Sequence, residues 1–320
     1  MSELPKTPLT VAQLIELGYT SQQLTGLVRL GVLTRIFRGV YCRADVPLTI
    51  DLRAAALALV LPGHAVVCDH TAAWLLGVDV QPAAGMDGPL DIDVVYVENH
   101  YPTERSGVFG GKRDLQDEEI WVVGGVRVTS PARTACDLAS RRGRRPALAA
   151  LDAIMRAFGL TTHDYRKILP RYRGRRGCVQ LRELIEYAVP DAESPRESWV
   201  RMEIIDAGLP VPKPQVWVDV PGHGRARLDL AYRGRRVGVE YDGEEFHTSE
   251  EDKLADKERR GALRDDRWII IVVGQHDFDG ERRDAWLREL AEALAERSPS
   301  RPRRYARGER RRPAVPRRKG

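Results

Sequence analysis

Arg227-Leu228-Asp229-Leu230-Ala231-Tyr232-Arg233-Gly234-Arg235-Arg236-Val237-Gly238-Val239-Glu240-Tyr241-Asp242 places two apolar-rich stretches around a basic turn, and its reading decides the fold of the C-terminal third. A Gly-X pair is what a two-residue type II′ hairpin prefers, so Gly234 and Arg235 are expected to form the turn. Tyr232 then faces Val237, and counting outward sets Asp229 opposite Glu240. Side chains paired in this way have Cβ atoms ~4.5–5.5 Å apart on one face of the sheet. Asp242, two residues beyond Glu240, shares that face. Leu228, Leu230, Val239 and Tyr241 are expected on the other.

Working outward, Ser194-Pro195 opens a helix bearing Trp199, Val200, Met202, Ile204 and Ile205 that stops at Gly208. Val216 to Val220 reads as a strand ahead of the hairpin. A helix follows from Ser249 to about Arg264, then a buried strand from Trp268 to Val273, then an amphipathic helix from Asp284 to Arg297. The order is α-β-β-β-α-β-α, a mixed α/β domain.

Opposed like charges destabilise a sheet, so Asp229 and Glu240 require a proton, a basic partner or a metal. Carboxylate oxygens suit Mg²⁺ or Mn²⁺, and such an ion can polarise a phosphodiester and acidify a bound water. The plainer alternative is neutralisation by nearby arginines, for which Arg227 and Arg236 are the candidates. Glu197 has capping-box spacing from Ser194 and i,i+4 spacing to Arg201, and Asp256 and Arg259 have the spacing of an i,i+3 ion pair.

Asp229, the hairpin, Glu240-x-Asp242-Gly243, His247 and the helix positions Asp256 and Arg259 together resemble the PD-(D/E)XK nuclease superfamily, in its branch similar to very-short-patch-repair endonucleases. The likeness covers Ser194 to Leu294. It implies a restriction-endonuclease-like domain in which Asp229, Glu240 and Asp242 hold a Mg²⁺ or Mn²⁺ ion that Glu197 approaches. The superfamily's usual lysine, two residues past the second acid, is replaced by Asp242. His247, Lys253 or Lys257 would have to supply its role.

At the other end, Thr10 and Thr20 or Ser21 are placed to cap two short helices, the first stopping at Gly18 and the second running from Gln22 to Leu30. Val32 to Tyr41 then suits two short strands around a basic bend. This is the order of a winged helix-turn-helix. Gln22, Gln23, Thr25 and Arg29 would face the major groove, with Arg35 and Arg38 on phosphates. A hairpin that only packs on the next domain is the alternative. Leu27 to Leu33 and Arg38 to Tyr41 resemble the N-terminal domain of AbiEi-type antitoxins, and His70 to Gly77 and Val128 to Ala139 look like segments found downstream of it. That resemblance implies a toxin partner.

Between these ends, Ala65 to Cys68, Leu90 to Val97 and Gly125 to Val128 read as strands, and the cap-then-Pro pair Ser130-Pro131 opens a helix. No catalytic spacing emerges here. His70 beside Asp69 reads as a ligand or, more simply, as a structural histidine. Arg141 to Arg145 and Arg171 to Arg176 read as basic loops.

The fold class that results is multi-domain α/β: a winged helix-turn-helix over 1–48, an α+β middle over 49–190, a nuclease-like domain over 191–298, and a basic disordered tail over 299–320. That tail carries ten of the 51 basic residues against Glu309 alone, which suits a polyanionic partner. The chain's 320 residues are 42% hydrophobic, with a net charge of +5. The composition excludes a disordered chain, and the absence of any membrane-length apolar run excludes a helical membrane span. Four scattered cysteines with no C-x-x-C pair argue against zinc or a disulfide framework, and with no leader in view the expected location is cytoplasmic. DNA is the expected partner, with RNA, a toxin or a second copy as alternatives. Two functions compete: a Mg²⁺-dependent endonuclease targeted by the N-terminal helices, and a non-catalytic DNA-binding regulator or AbiEi-type antitoxin that reuses a nuclease fold.

Overall fold

The computed structural model describes residues 4–80, 90–97, 105–243 and 250–297, with the backbone alone for 250–253. The first unit comprises β1 (Leu9–Thr10), α1 (Val11–Glu16), α2 (Ser21–Arg29), β2 (Leu33–Phe37) and β3 (Val40–Arg43), with strands in the order β1-β3-β2. Its boundaries follow from local chemistry. Thr10 and Thr20 each form a full capping box, with Gln13 and Gln23. Gly18 and Gly31, both in the left-handed region, end the helices. Leu14, Tyr19, Leu24 and Leu33 close a small core.

The helix-helix-ribbon order is therefore present, but the ribbon is not free. Ile36, Phe37, Val40 and Cys42 belong to one core with the helices that follow, and Leu90 N–H donates to the Ile36 carbonyl. Packing is continuous across residue 48.

The middle region runs α3 (Ile50–Ala58), β4 (Ala65–Val67), α4 (Asp69–Leu75), β5 (Ile92–Tyr96), β6 (Val108–Lys112), β7 (Ile120–Val123) and β8 (Val126–Thr129), then α5 (Pro131–Arg141), α6 (Arg144–Phe158), α7 (Thr162–Ile168) and α8 (Cys178–Tyr187). Its five-stranded sheet has the order β6-β5-β4-β8-β7. The strands expected at 65–68, 90–97 and 125–128 and the helix opened by Ser130-Pro131 are all found, within a few residues. Arg144 and Arg145 lie in the first turn of α6, which corrects their reading as loop residues.

The C-terminal third is α9 (Pro195–Asp206), β9 (Lys213–Val220), β10 (Gly224–Tyr232), β11 (Val237–Asp242), α10 (Glu250–Asp265), β12 (Ile269–Gly274) and α11 (Gly280–Glu296). The α-β-β-β-α-β-α order holds. The sheet order is β12-β11-β10-β9, and β11 and β12 are parallel with α10 as their crossover. One layer buries Val200, Ile204, Leu230, Val239, Trp286 and Leu290; the other buries Val218, Ala226, Leu228, Leu263 and Ile270 under α10.

Helix α9 serves two cores. Met202 packs with the middle helices, whereas Val200 and Ile204 pack on the C-terminal sheet. Arg201, fully buried, binds the equally buried Asp152 of α6, which also accepts from the Ser198 hydroxyl at 2.7 Å. Arg145 of α6 reaches the Glu203 carboxylate and donates to the Phe278 carbonyl at 2.7 Å. The middle and C-terminal cores are thus joined by packing and by buried charge.

Candidate functional site

The hairpin register is the one the count requires: Tyr232 pairs with Val237, Ala231 with Gly238 and Leu230 with Val239. The turn differs. Residues 233–235 form one turn of 3₁₀-helix and Arg236 closes it at φ 53, so Gly234 needs no left-handed backbone. Four turn residues with Arg236 in the left-handed region return the strand in the same register as the two-residue turn.

At Asp229 the regular ladder stops. The Asp229 carboxylate accepts the Tyr241 N–H at 2.9 Å, taking a place that a backbone carbonyl would otherwise fill. Here β10 also changes faces. Leu228 lies under α10, while Leu230 lies in the opposite layer with Val239 and Tyr241. The expectation that Leu228 and Leu230 share a face is corrected: simple alternation fails at the residue whose side chain enters the ladder.

Glu240 is buried, and α10 holds it by two arginines. Arg259 chelates both of its oxygens at 2.5 and 2.9 Å, and Arg260 adds a contact at 3.1 Å. The same arginines bind Asp256 at 2.6 and 3.0 Å, and Arg260 reaches Asp242 at 3.1 Å. The Asp256–Arg259 pair is found at its expected spacing. The basic partners are therefore Arg259 and Arg260. Arg227 instead pairs with Glu193 at 2.7 Å, and Arg236 with Asp266 at 3.2 Å.

Among the described residues Asp229 has no such partner. Burial, then the charge of Glu197, and to a smaller extent that of Glu240, raise its carboxyl to about 7 against the opposing effects of the Tyr241 N–H and Arg259. Glu197, also buried, accepts the Glu193 N–H at 3.0 Å and the Gln215 side-chain amide at 2.7 Å. Its own N–H donates to the Ser194 hydroxyl at 3.2 Å, so half of the expected capping box forms. The expected Glu197–Arg201 pair does not form, because Arg201 turns inward to Asp152. Gln215, which no motif or spacing marks, has a left-handed backbone at φ 49, and its side-chain amide oxygen is buried with no hydrogen-bond partner among the described residues.

Of the expected site residues, Glu197, Asp229, Glu240 and Asp242 do gather at one end of the sheet, and Lys257 is exposed on α10. His247, the Lys253 side chain and the tail from 299 lie outside the described residues. As arranged, the acids do not fit a divalent cation. Both Glu240 oxygens and one Asp242 oxygen are held by guanidinium groups, and among the described residues no group of His, Cys, Asp or Glu is placed to hold a metal ion.

Of the candidate DNA contacts, Gln22, Thr25 and Arg29 are exposed on α2. Gln23 is also exposed, but its side-chain oxygen accepts the Thr20 N–H at 2.8 Å, which gives it a capping duty in place of a purely base-reading one. Arg38, at the ribbon tip, donates to the Ser106 hydroxyl, while Arg105 donates to the Arg38 carbonyl at 3.3 Å. Arg35 is half-buried, its Nε without a hydrogen-bond partner among the described residues.

A second charged cluster, unforeseen in the sequence, lies in the middle region. Arg113 binds Asp69 at 3.0 Å and Asp137 at 2.9 Å; Arg133 binds Asp137 and Glu119, both at 2.9 Å; and the Tyr172 hydroxyl donates to Asp137 at 2.5 Å. Only the i,i+4 spacing of Arg133 and Asp137 could have signalled it. Burial would raise Asp69, yet Arg113 carries it below its usual range. His70 is pushed down to about 4 by burial and by Arg142, so it is neutral near pH 7, as a structural histidine would be.

Residues 65–187 match the AbiEi antitoxin C-terminal domain family. Two uncharacterized proteins of Mycobacterium tuberculosis, MT2308 and Rv2248, are each 36% identical to this chain over 264 residues, which is 82% of this chain and 93% of theirs.

Proposed function

The chain belongs to the same family as these two mycobacterial proteins, and from that premise we propose that it acts as a non-catalytic DNA-binding regulator of the AbiEi antitoxin type. The match over residues 65–187 carries the reading, because the ribbon that follows the N-terminal helix pair is packed into the core of that same region. In this proposal α1 and α2 form the helix-turn-helix of a winged helix. Gln22, Thr25 and Arg29 meet base edges, each good contact giving ~1–3 kcal/mol of discrimination, and a toxin is the protein partner. The arginine hold on Glu240 supports a binding role for the C-terminal third, since an acid whose oxygens are both engaged is not presented to an ion.

Hydrolysis with Mg²⁺ or Mn²⁺ remains the rival reading, favoured by the gathering of Glu197, Asp229 and Glu240. One experiment separates them. Full-length protein is incubated with duplex DNA from upstream of its own gene, with and without Mg²⁺ or Mn²⁺, and both retention and strand integrity are followed. Sequence-selective binding without cleavage is expected, with Gln22→Ala and Arg29→Ala lowering the selectivity. Metal-dependent cleavage that Glu240→Ala abolishes would replace this proposal with the nuclease.

A further inference from the structure

Ahead of Asp229, the hairpin of β9 and β10 is covered by α10 on one face, and among the described residues nothing covers the other. Val216, Val218, Ala226 and Leu228 pack under α10. On the opposite face Trp217 pairs across the strands with Arg227, and Asp219 with Arg225. Trp217 remains 47% exposed on the edge strand of the sheet. The Arg225 and Arg227 guanidinium groups lie 4.8 and 5.8 Å from its ring centre. Arg227 is chelated by Glu193 and so positioned. Arg225 approaches Asp219 only at 3.9 Å, beyond hydrogen-bond reach, with both side chains well exposed.

We propose that this open face, with Trp217 bracketed by Arg225 and Arg227, is a second DNA contact that stacks an unpaired base on the indole and places a phosphate on Arg225. An exposed aromatic beside cationic groups on a sheet face is the composition with which single strands are held, because every base offers a π-face and every linkage a negative charge. Guanidinium groups already lying against the ring are pre-ordered for that contact. The site lies two residues from Asp229, and the Arg227 carbonyl accepts from Arg259 at 3.3 Å, so the platform adjoins the carboxylate cluster. The inference deepens the DNA-binding reading and rests on it.

The test uses full-length protein, a labelled oligo-dT strand and the upstream duplex, with fluorescence anisotropy as the readout. Trp217→Ala should weaken oligo-dT binding about tenfold, within the range of one stacked base, and Trp217→Phe should restore most of it. Arg225→Ala should lower the slope of log affinity against log salt by about 0.7. Arg29→Ala should weaken the duplex complex alone. Circular dichroism of each variant checks the fold. Duplex binding without oligo-dT binding would overturn the inference and leave the regulator reading standing; binding of neither would end both. Displacement of the oligo-dT by a poly-glutamate peptide at equal charge would also overturn it, in favour of an acidic polypeptide.

Discussion

In the middle region Arg113 sits between Asp69 and Asp137, and Arg133 between Asp137 and Glu119; in the C-terminal sheet Arg259 and Arg260 serve Glu240, Asp256 and Asp242, while among the described residues Asp229 has no guanidinium of its own. Both clusters crowd acids in a poorly solvated place. The first is neutralised by arginines throughout. The second is neutralised partly by arginine and partly by a proton, because burial and Glu197 make the charged form of Asp229 costly. A proton can be lost over the physiological range of pH and a guanidinium cannot, so only the C-terminal cluster should respond to pH near neutrality.

The largest effect should come from breaking the arginine cluster. Arg133→Met leaves Glu119 and Asp137 short of a buried partner and should cost about 3–5 kcal/mol in urea unfolding, as removing one side of a buried pair does. A loss below about 1 kcal/mol would mean that Arg113 and Tyr172 at Asp137 and Arg171 at Glu119 suffice, against the range expected for buried pairs.

The proton is next. The unfolded chain releases it near pH 4, whereas the folded protein holds it to about 7. The stabilisation tied to this proton is therefore complete below about pH 4, falls by up to about 1.4 kcal/mol per pH unit as pH rises, and is gone above about 7. Asp229→Asn should flatten that part of the pH profile and make the protein more stable than wild type at pH 8. Parallel profiles for the two proteins would show that Asp229 titrates like a solvated carboxyl.

A smaller loss is expected from Arg259→Gln, about 1–3 kcal/mol, since Arg260 still reaches Glu240. Smallest of all should be the response to divalent cations. Millimolar Mg²⁺ should leave the thermal midpoint unmoved, whereas an ion at a hundred times its dissociation constant would add about 2.7 kcal/mol. A rise that Glu240→Gln removes would mean that the cation displaces the arginines.

Much of the C-terminal fold is readable from local signals. The capping Ser194, the period-2 strands and the apolar run ahead of Gly274 fix the element order, and the short connection fixes the register whichever turn it adopts. The gathering of Asp229, Glu240 and Asp242 follows from that register. What neutralises them does not. Arg259 and Arg260 come from a helix whose approach to the sheet depends on tertiary packing, so the nearer Arg227 and Arg236 looked the better candidates. The face change at Asp229 depends on a side chain replacing a backbone acceptor, which alternation rules do not encode. In the middle region, the acids and arginines of the buried cluster are scattered from Asp69 to Tyr172, and only Arg133 and Asp137 are near enough in sequence to suggest a pair.

Helix α9, shared between two cores, bears on how this gene can be shortened. A stop codon just after the middle region would preserve the whole antitoxin-like match, yet it would remove the guanidinium facing Asp152 and the methionine that completes the neighbouring core. The product would be an unstable fragment, prone to degradation, and not a trimmed regulator. Nonsense mutations ahead of Arg201 should therefore behave genetically like complete loss of the gene.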